Sequence, residues 1–199
     1  MFGTMVKPMH PGNAARNGLL AALLASKNFT SAEQGIEGRR GFANVLATQR
    51  NYAEITEKLG ETWEISLNTY KPYACGIVEH PAIDGCVQLR NEHKLKPEDI
   101  ESVALKVHPL VLELTGKKTP QTGLEGKFSV YHSSAVAIVH GAAGEEQYSD
   151  AVVRDPRVIA LRDKVVATVE SGIHEDQVRI AIRLKGGKVL EKYVEHAVG

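Results

Sequence analysis

The sequence predicts an α+β protein in which a helical segment precedes a lobe built around an antiparallel sheet. Apolar residues recur at helical spacing early in the chain, and they alternate with polar residues at 100–108 and 178–184. A Gly-Gly pair follows the second alternating run and predicts a tight turn into a further strand. We therefore expect a partial helical domain over residues 1–60 and an α+β domain over residues 61–199.

Composition limits the classes of function. The 199 residues are 43% hydrophobic and 24% charged, as in an ordinary globular protein. Lys and Arg total 24 and are balanced by 24 Asp and Glu, so the basic excess typical of a nucleic-acid binder is absent. The longest apolar run, residues 18–26, is too short to span a bilayer and lacks the flanks of a signal peptide. Two cysteines form no disulfide framework, which favours a reducing cytoplasm.

The first predicted element is a helix in "PGNAARNGLLAALLAS", with Pro11 and Gly12 at its start. Shorter helices are expected near residues 31–34 and 41–47. Together these pieces offer too little apolar surface for a core of their own. We expect further helices, from the same or another polypeptide, to complete this domain.

The elements of the α+β domain follow from local patterns. Alternating apolar residues predict half-buried strands at 62–70 and 100–108. Helical spacing predicts helices at 80–93 and 129–141, and an Asp-Pro pair predicts the start of another at 155.

The last elements form the most regular local pattern. "QVRIAIRL" alternates apolar and polar residues, Gly186 and Gly187 follow, and a second apolar run returns. This pattern predicts a β-hairpin with a two-glycine turn.

The stretch "KPYACGIVEHPAIDG" concentrates side chains that can carry chemistry. Cys75, His80 and Cys86 could bind zinc, but no second ligand pair completes the spacing of a structural site. Cys75 and His80 could form a nucleophile and its base, although thiol catalysis also needs an orienting group and an oxyanion hole. The third interpretation is a cationic pocket in which Lys71 and His80 hold an acidic ligand.

Two further segments have the same chemistry. "KPMHPGNAARNG" places Lys7 and His10 just before the predicted start of a helix, where backbone N–H groups favour an anion. "GKFSVYHS" places Lys127 and Ser129 at another entry into a helix. Three such junctions suit a ligand that carries several carboxylates, whereas any one of them could be solvated surface.

Three long blocks of the chain resemble the MmgE/PrpD family, namely "GTMVKPMHPGNAARNGLLAALLA", "KPYACGIVEHPAIDG" and "EGKFSVYHSSAVAIVHGAAGEEQYSD". The resemblance implies a large all-helical domain, a smaller α+β lid domain with the active site between them, and a homodimer without metal or organic cofactor. It implies catalytic roles for Lys7, His10, Lys71 and His80, and substrate contacts for Tyr73, Lys127 and Ser129.

The resemblance also implies the chemistry and the partners. Family members act on di- or tricarboxylates by removing a proton beside a carboxylate, so we expect a dehydratase- or decarboxylase-type lyase in the cytoplasm. An epimerase of the iminodisuccinate type and a non-catalytic fragment are the alternatives. Because the family has a longer helical half, we expect this chain to be an internal or C-terminal segment. It would act as a homodimer or pair with a chain carrying the missing helices, without nucleic acid or membrane.

Overall fold

The computed structural model describes residues 3–198, which divide into two compact units. One unit comprises residues 3–7 and 70–198, and the other comprises residues 8–69. Because compactness alone does not define the ends of a domain, the boundary expected after residue 60 stays a prediction.

The helices of the early part of the chain are α1 (Val6–Ala25), α2 (Phe42–Leu46) and α3 (Ala53–Thr56). Helix α1 begins earlier than predicted, so Lys7 and His10 lie within its first turns rather than before its N-terminus. A proline is tolerated in the first turn, where the N–H groups have no intrahelical acceptor, so Pro8 does not prevent the early start. At Pro11 the helix lacks the N–H that would bond the Lys7 carbonyl.

The strand predicted at 62–70 is wrong. Glu64–Leu67 form a 3₁₀ helix, and the side chains of Trp63, Ile65 and Leu67 are exposed. Alternation specifies a strand only where a neighbouring strand supplies hydrogen bonds and a core covers one face. The segment does not belong to the four-stranded sheet, and the Ser66 hydroxyl instead donates to the Trp63 carbonyl over 2.7 Å.

Few side chains of residues 8–69 are buried. No residue of α1 is buried, and its leucines at 19, 20, 23 and 24 are exposed. The helix expected near 31–34 is also wrong, because these residues form coil and turn. Within residues 3–198 no helix, the 20-residue α1 included, is long and apolar enough to cross a membrane.

The other unit is an α+β structure, which confirms the predicted fold class. Its helices and strands are α4 (His80–His93), β1 (Ile100–Val107), α5 (Pro109–Thr115), α6 (Gly123–Gly126), α7 (Val130–His140), α8 (Asp150–Val153), α9 (Pro156–Arg162), β2 (Val165–Val169), β3 (Val178–Leu184) and β4 (Val189–Val194). The hairpin β3–β4, the strand β1 and the helices at 80–93, 130–140 and 156–162 confirm the predicted elements.

The sheet is mixed rather than purely antiparallel, which corrects the prediction. Its strand order is β2-β1-β3-β4. Strands β1, β3 and β4 pair antiparallel, with Leu105 opposite Ile180, whereas β2 pairs parallel to β1, with Val103 opposite Val165. Parallel neighbours need a long crossover, and here the helices α5 to α9 supply it. Local alternation could not reveal this non-local pairing.

Helices α4 and α7 pack together, and α4 also packs against β3 and β4. Fully buried side chains, among them Ile83, Leu105, Ile138 and Ile182, form the core of this unit. Gly85 brings α4 close to the sheet, because a Cβ at this position would lie 2.5 Å from the Ile180 Cδ1 atom. This packing fixes α4 and therefore the loop that leads into it.

Candidate active site

The loop before α4 carries the candidate residues at 71–80. Backbone hydrogen bonds of 3.0 Å tie it to two other segments, from Ala74 N to the Ala143 carbonyl and from Gly76 N to the Lys127 carbonyl. A 3₁₀ helix at Ile77–Glu79 then leads directly into α4, whose first turn contains a proline. The loop is therefore fixed in its middle and at its C-terminal end, which suits a binding site on a rigid scaffold.

An open cleft of about 550 Å³ lies along this loop; its lining residues are Lys71, Pro72, Tyr73, Ala74, Cys75, Gly144 and Glu145. The Lys71 ammonium donates to the Cys75 carbonyl over 3.2 Å and forms no salt bridge within the described part of the chain. The Glu145 carboxylate pairs with Lys127 over 2.8 Å. Lys71 therefore gives the cleft a cation that is paired with no carboxylate among residues 3–198.

Tyr73 and His80 contact each other beside the cleft. Their rings meet edge to face, with centroids 5.3 Å apart and planes at 85°. The Tyr73 hydroxyl donates to Asp84 Oδ1 over 3.1 Å. Burial, followed by the negative charge of Asp84, raises the pKa of Tyr73, so the phenol stays a neutral donor.

His80 is nearly fully buried, and its Nε2 atom has no hydrogen-bond partner within residues 3–198. Burial lowers the pKa of His80 below its usual value of 6.5, and the positive charge of Lys71 lowers it further. A neutral imidazole at neutral pH can accept a proton, which is what a general base requires.

Both cysteines are buried and free. Burial raises the pKa of Cys75, and it raises the pKa of Cys86 to about 12. A protonated thiol is a poor nucleophile, so thiol catalysis at Cys75 is disfavoured. Within the described residues no three His, Cys, Asp or Glu side chains are grouped so that they could hold a metal ion.

The remaining predicted site residues lie in different surroundings. The exposed Lys7 places its ammonium 5.8 Å from the centre of the Phe128 ring, and the exposed His10 belongs to residues 8–69. Ser129 is fully buried and caps α7, accepting a hydrogen bond from His132 N over 3.1 Å. The structure thus brings Lys71, Tyr73 and His80 together, while functional roles for all the predicted site residues stay predictions.

One residue of the loop was missed by the sequence analysis. Glu79 is fully buried beside His80, and its Oε2 atom accepts a hydrogen bond of 2.5 Å from the Ser133 hydroxyl. The Ser133 oxygen also lies 2.9 Å from the Tyr148 hydroxyl. The available signal was a lone acidic residue between Val78 and His80, but only the tertiary fold shows that it is buried.

Comparison with known proteins assigns both parts of the sequence to one family. The MmgE/PrpD N-terminal domain matches residues 2–55, and the MmgE/PrpD C-terminal domain matches residues 73–199. The chain belongs to the MmgE/PrpD family. This confirms the resemblance found in the sequence blocks.

Curated relatives of this MmgE/PrpD chain are similar at low identity. A cis-aconitate decarboxylase from Aspergillus terreus is 24% identical over 100% of this chain and 45% of its own length. The cis-aconitate decarboxylase of Mus musculus is 23% identical over 81% of the chain and 34% of its own length. A mitochondrial 2-methylcitrate dehydratase from Yarrowia lipolytica is 25% identical over 51% of the chain and 22% of its own length. The chain spans less than half the length of these relatives.

Proposed function

We propose that this chain is part of a cofactor-independent lyase that removes a proton from a di- or tricarboxylate and eliminates a neighbouring group. The observation that supports it most is the cleft, where an unpaired Lys71 cation lies on the same loop as the neutral, buried His80. Relatives named cis-aconitate decarboxylase and 2-methylcitrate dehydratase support the same class of substrate and reaction. We also propose that the protein works in the cytoplasm.

The proposed mechanism assigns one task to each side chain. The Lys71 ammonium holds a substrate carboxylate, and it stabilises the negative charge that develops there when the neighbouring carbon loses its proton. In a dehydration His80 accepts that proton, the electron pair of the broken C–H bond forms the new double bond, and the hydroxyl group on the next carbon takes a proton from solvent and leaves as water. In a decarboxylation one carboxylate leaves as CO2, the electron pair of the broken C–C bond stays on the substrate, and protonated His80 delivers a proton to the resulting carbanion. Tyr73 keeps the His80 ring in place through their edge-to-face contact.

The proposal also gives roles to four other residues. Direct contact with the substrate is proposed for Lys7, His10 and Lys127, and an indirect role for Ser129. Lys7 and His10 are exposed cationic or titratable groups and would add contacts to further carboxylates of the substrate. Lys127 lies beside the cleft through its ion pair with Glu145, so a carboxylate ligand would compete for it. Ser129 would act indirectly, because its hydroxyl already caps α7.

We further propose that a second chain covers the helical segment, either a copy in a homodimer or a chain carrying further helices. The exposed leucines of α1 support this, since Leu19 and Leu23 are 65% and 56% exposed. Monomers rarely leave such a run of large apolar side chains in water.

The test is an activity assay of this chain alone and together with a chain carrying the helical half of the family. We expect turnover of cis-aconitate or methylcitrate once the helical half is present. Turnover of iminodisuccinate alone would indicate an epimerase instead. Absence of turnover with all three acids, in a complex shown to be folded and assembled, would contradict a catalytic role.

A further inference from the structure

Glu79 stands out among the ionisable groups that the proposed mechanism does not use. Its side chain is fully buried, and Oε1 has no hydrogen-bond partner within residues 3–198. The other oxygen, Oε2, accepts the hydrogen bond of 2.5 Å from Ser133, in the second turn of α7. Ser133 is thus the one side-chain donor to the carboxyl group within these residues, beside a backbone contact from Gly76.

This environment favours the neutral carboxylic acid. An ionised carboxylate in a protein interior needs a cation or several donors, and no salt bridge to Glu79 is found in the described part of the chain. The charged or titratable groups that face it are Lys71 and Cys75 from its own loop and Tyr148 from the 3₁₀ helix at 145–148. The Lys71 ammonium already bonds the Cys75 carbonyl. Burial raises the pKa of Glu79, and the Ser133 hydrogen bond, the Gly76 backbone contact and the positive charge of Lys71 oppose this only in part.

The contact joins the site loop to the core. Glu79 immediately precedes His80, the first residue of α4, and Ser133 belongs to α7, which packs against α4. The Ser133 oxygen in turn lies 2.9 Å from the Tyr148 hydroxyl. The Glu79 side chain therefore connects the start of α4 to α7 and, through Ser133, to Tyr148. This connection lies at the residue next to His80, the proposed base.

We propose that Glu79 is a positioning residue that stays protonated and, through Ser133, fixes the orientation of His80 and of the loop that carries Lys71. The role of His80 and Lys71 rests on the proposed function, but the hydrogen bond between Ser133 and a protonated Glu79 does not. Glu79 is not among the residues that line the cleft, so it acts through its neighbours.

The protonation state is tested by the pH dependence of stability. A native carboxyl that keeps its proton binds one more proton than the unfolded chain at every pH between the two pKa values. The ratio of the unfolding equilibrium constants of wild type and Glu79→Gln should then rise about tenfold per pH unit above the glutamate pKa in the unfolded chain, which is about 4.3. Glu101→Gln, at an exposed position of β1, is the matched control for the removal of one glutamate carboxyl group.

A measurement on the wild-type chain covers the case in which Glu79→Gln fails to fold. With carbon-13 in the glutamate carboxyl groups, we expect one signal that keeps its protonated shift well above the ordinary glutamate pKa of about 4.3. If no glutamate signal keeps its protonated shift above that pKa, or if the ratio of the two unfolding equilibrium constants does not change with pH, Glu79 is ionised and the proposal is overturned.

The positioning role is tested by the His80 ring signals in the chain alone. Glu79→Ala and Ser133→Ala should loosen the loop, admit water and move the His80 titration midpoint up toward 6.5, whereas Glu79→Gln should leave it near the wild-type value. Ile182→Val, a mild core change away from the loop, is the control for lost stability. An unmoved midpoint in both alanine variants would overturn the proposal. None of these measurements needs a ligand, so they can succeed even if no acid binds.

Discussion

Replacing Lys71 by Met should weaken the binding of a carboxylate ligand far more than it weakens the fold. Methionine keeps the length of the side chain and removes its charge. The ammonium forms no salt bridge within residues 3–198, and its hydrogen bond to the Cys75 carbonyl measures 3.2 Å. A neutral-acceptor hydrogen bond at an exposed side chain contributes about 0.5–1.5 kcal/mol at most, so the loss of folding stability should be small.

The loss of ligand affinity is estimated from the hydrogen bond that Lys71 would donate to a substrate carboxylate. A charged hydrogen bond from lysine to a substrate carboxylate contributes about 1.5–3 kcal/mol. Its removal should raise the dissociation constant for cis-aconitate about 10- to 150-fold. In the assembled enzyme kcat/KM should fall by at least as much, because the charge on that carboxylate grows during proton removal.

Calorimetric titration of the chain, with the helical half supplied, measures this effect. Lys185→Met is the matched control, since it removes the same charge from the exposed hairpin turn. Rising salt should weaken wild-type binding more than it weakens binding to the Lys71→Met variant. Equal affinity of wild type and Lys71→Met for cis-aconitate would refute the proposed clamp.

Three further changes test other parts of the site and the fold. The acid limb of the kcat/KM profile should have its midpoint below 6.5, because His80 must be neutral to accept a proton. Lys71→Met should move that midpoint upward, because it removes the positive charge that lowers the pKa of His80. A midpoint unchanged by the substitution would exclude this coupling. Cys75→Ala should leave kcat within about threefold of wild type, because its buried thiol stays protonated; a loss of several orders of magnitude would restore the nucleophile hypothesis. Gly85→Ala should cost about 1–3 kcal/mol in urea unfolding, because the new Cβ would overlap a β3 side chain, whereas Gly186→Ala at an open turn position should change stability by less than about 0.5 kcal/mol.

Local sequence patterns predicted those parts of the fold whose stabilisation is local. The helix predicted after the Asp-Pro pair forms because the Asp155 carboxylate caps it, accepting from Arg157 N over 2.8 Å. Helix α7 ends where predicted because Gly141 adopts a φ of +70°, which glycine takes without strain. The β3–β4 hairpin has the alternation and the glycine turn that specify register.

Features that depend on distant parts of the chain could not be predicted in this way. The alternation at 62–70 is as regular as that of β1, but no strand pairs with it in the sheet. The parallel strand β2 is determined by its partner, and the burial of Glu79 is determined by α7. Lys71 and His80 were identified from residue type and loop context, whereas the Tyr73–His80 contact required the fold.

The measurement that tests the carboxylate site most directly is a chemical-shift titration of the isotopically labelled chain with cis-aconitate, using its trimethyl ester as the uncharged control. We expect saturable shifts at residues 71–76 and 144–145 and at the His80 ring, with the acid and not with the ester, and their loss in Lys71→Met. Shifts confined to the pocket on the sheet that Lys106, Arg179 and Lys192 help to line, or no saturable shifts along the cleft, would contradict a carboxylate site on the loop before α4.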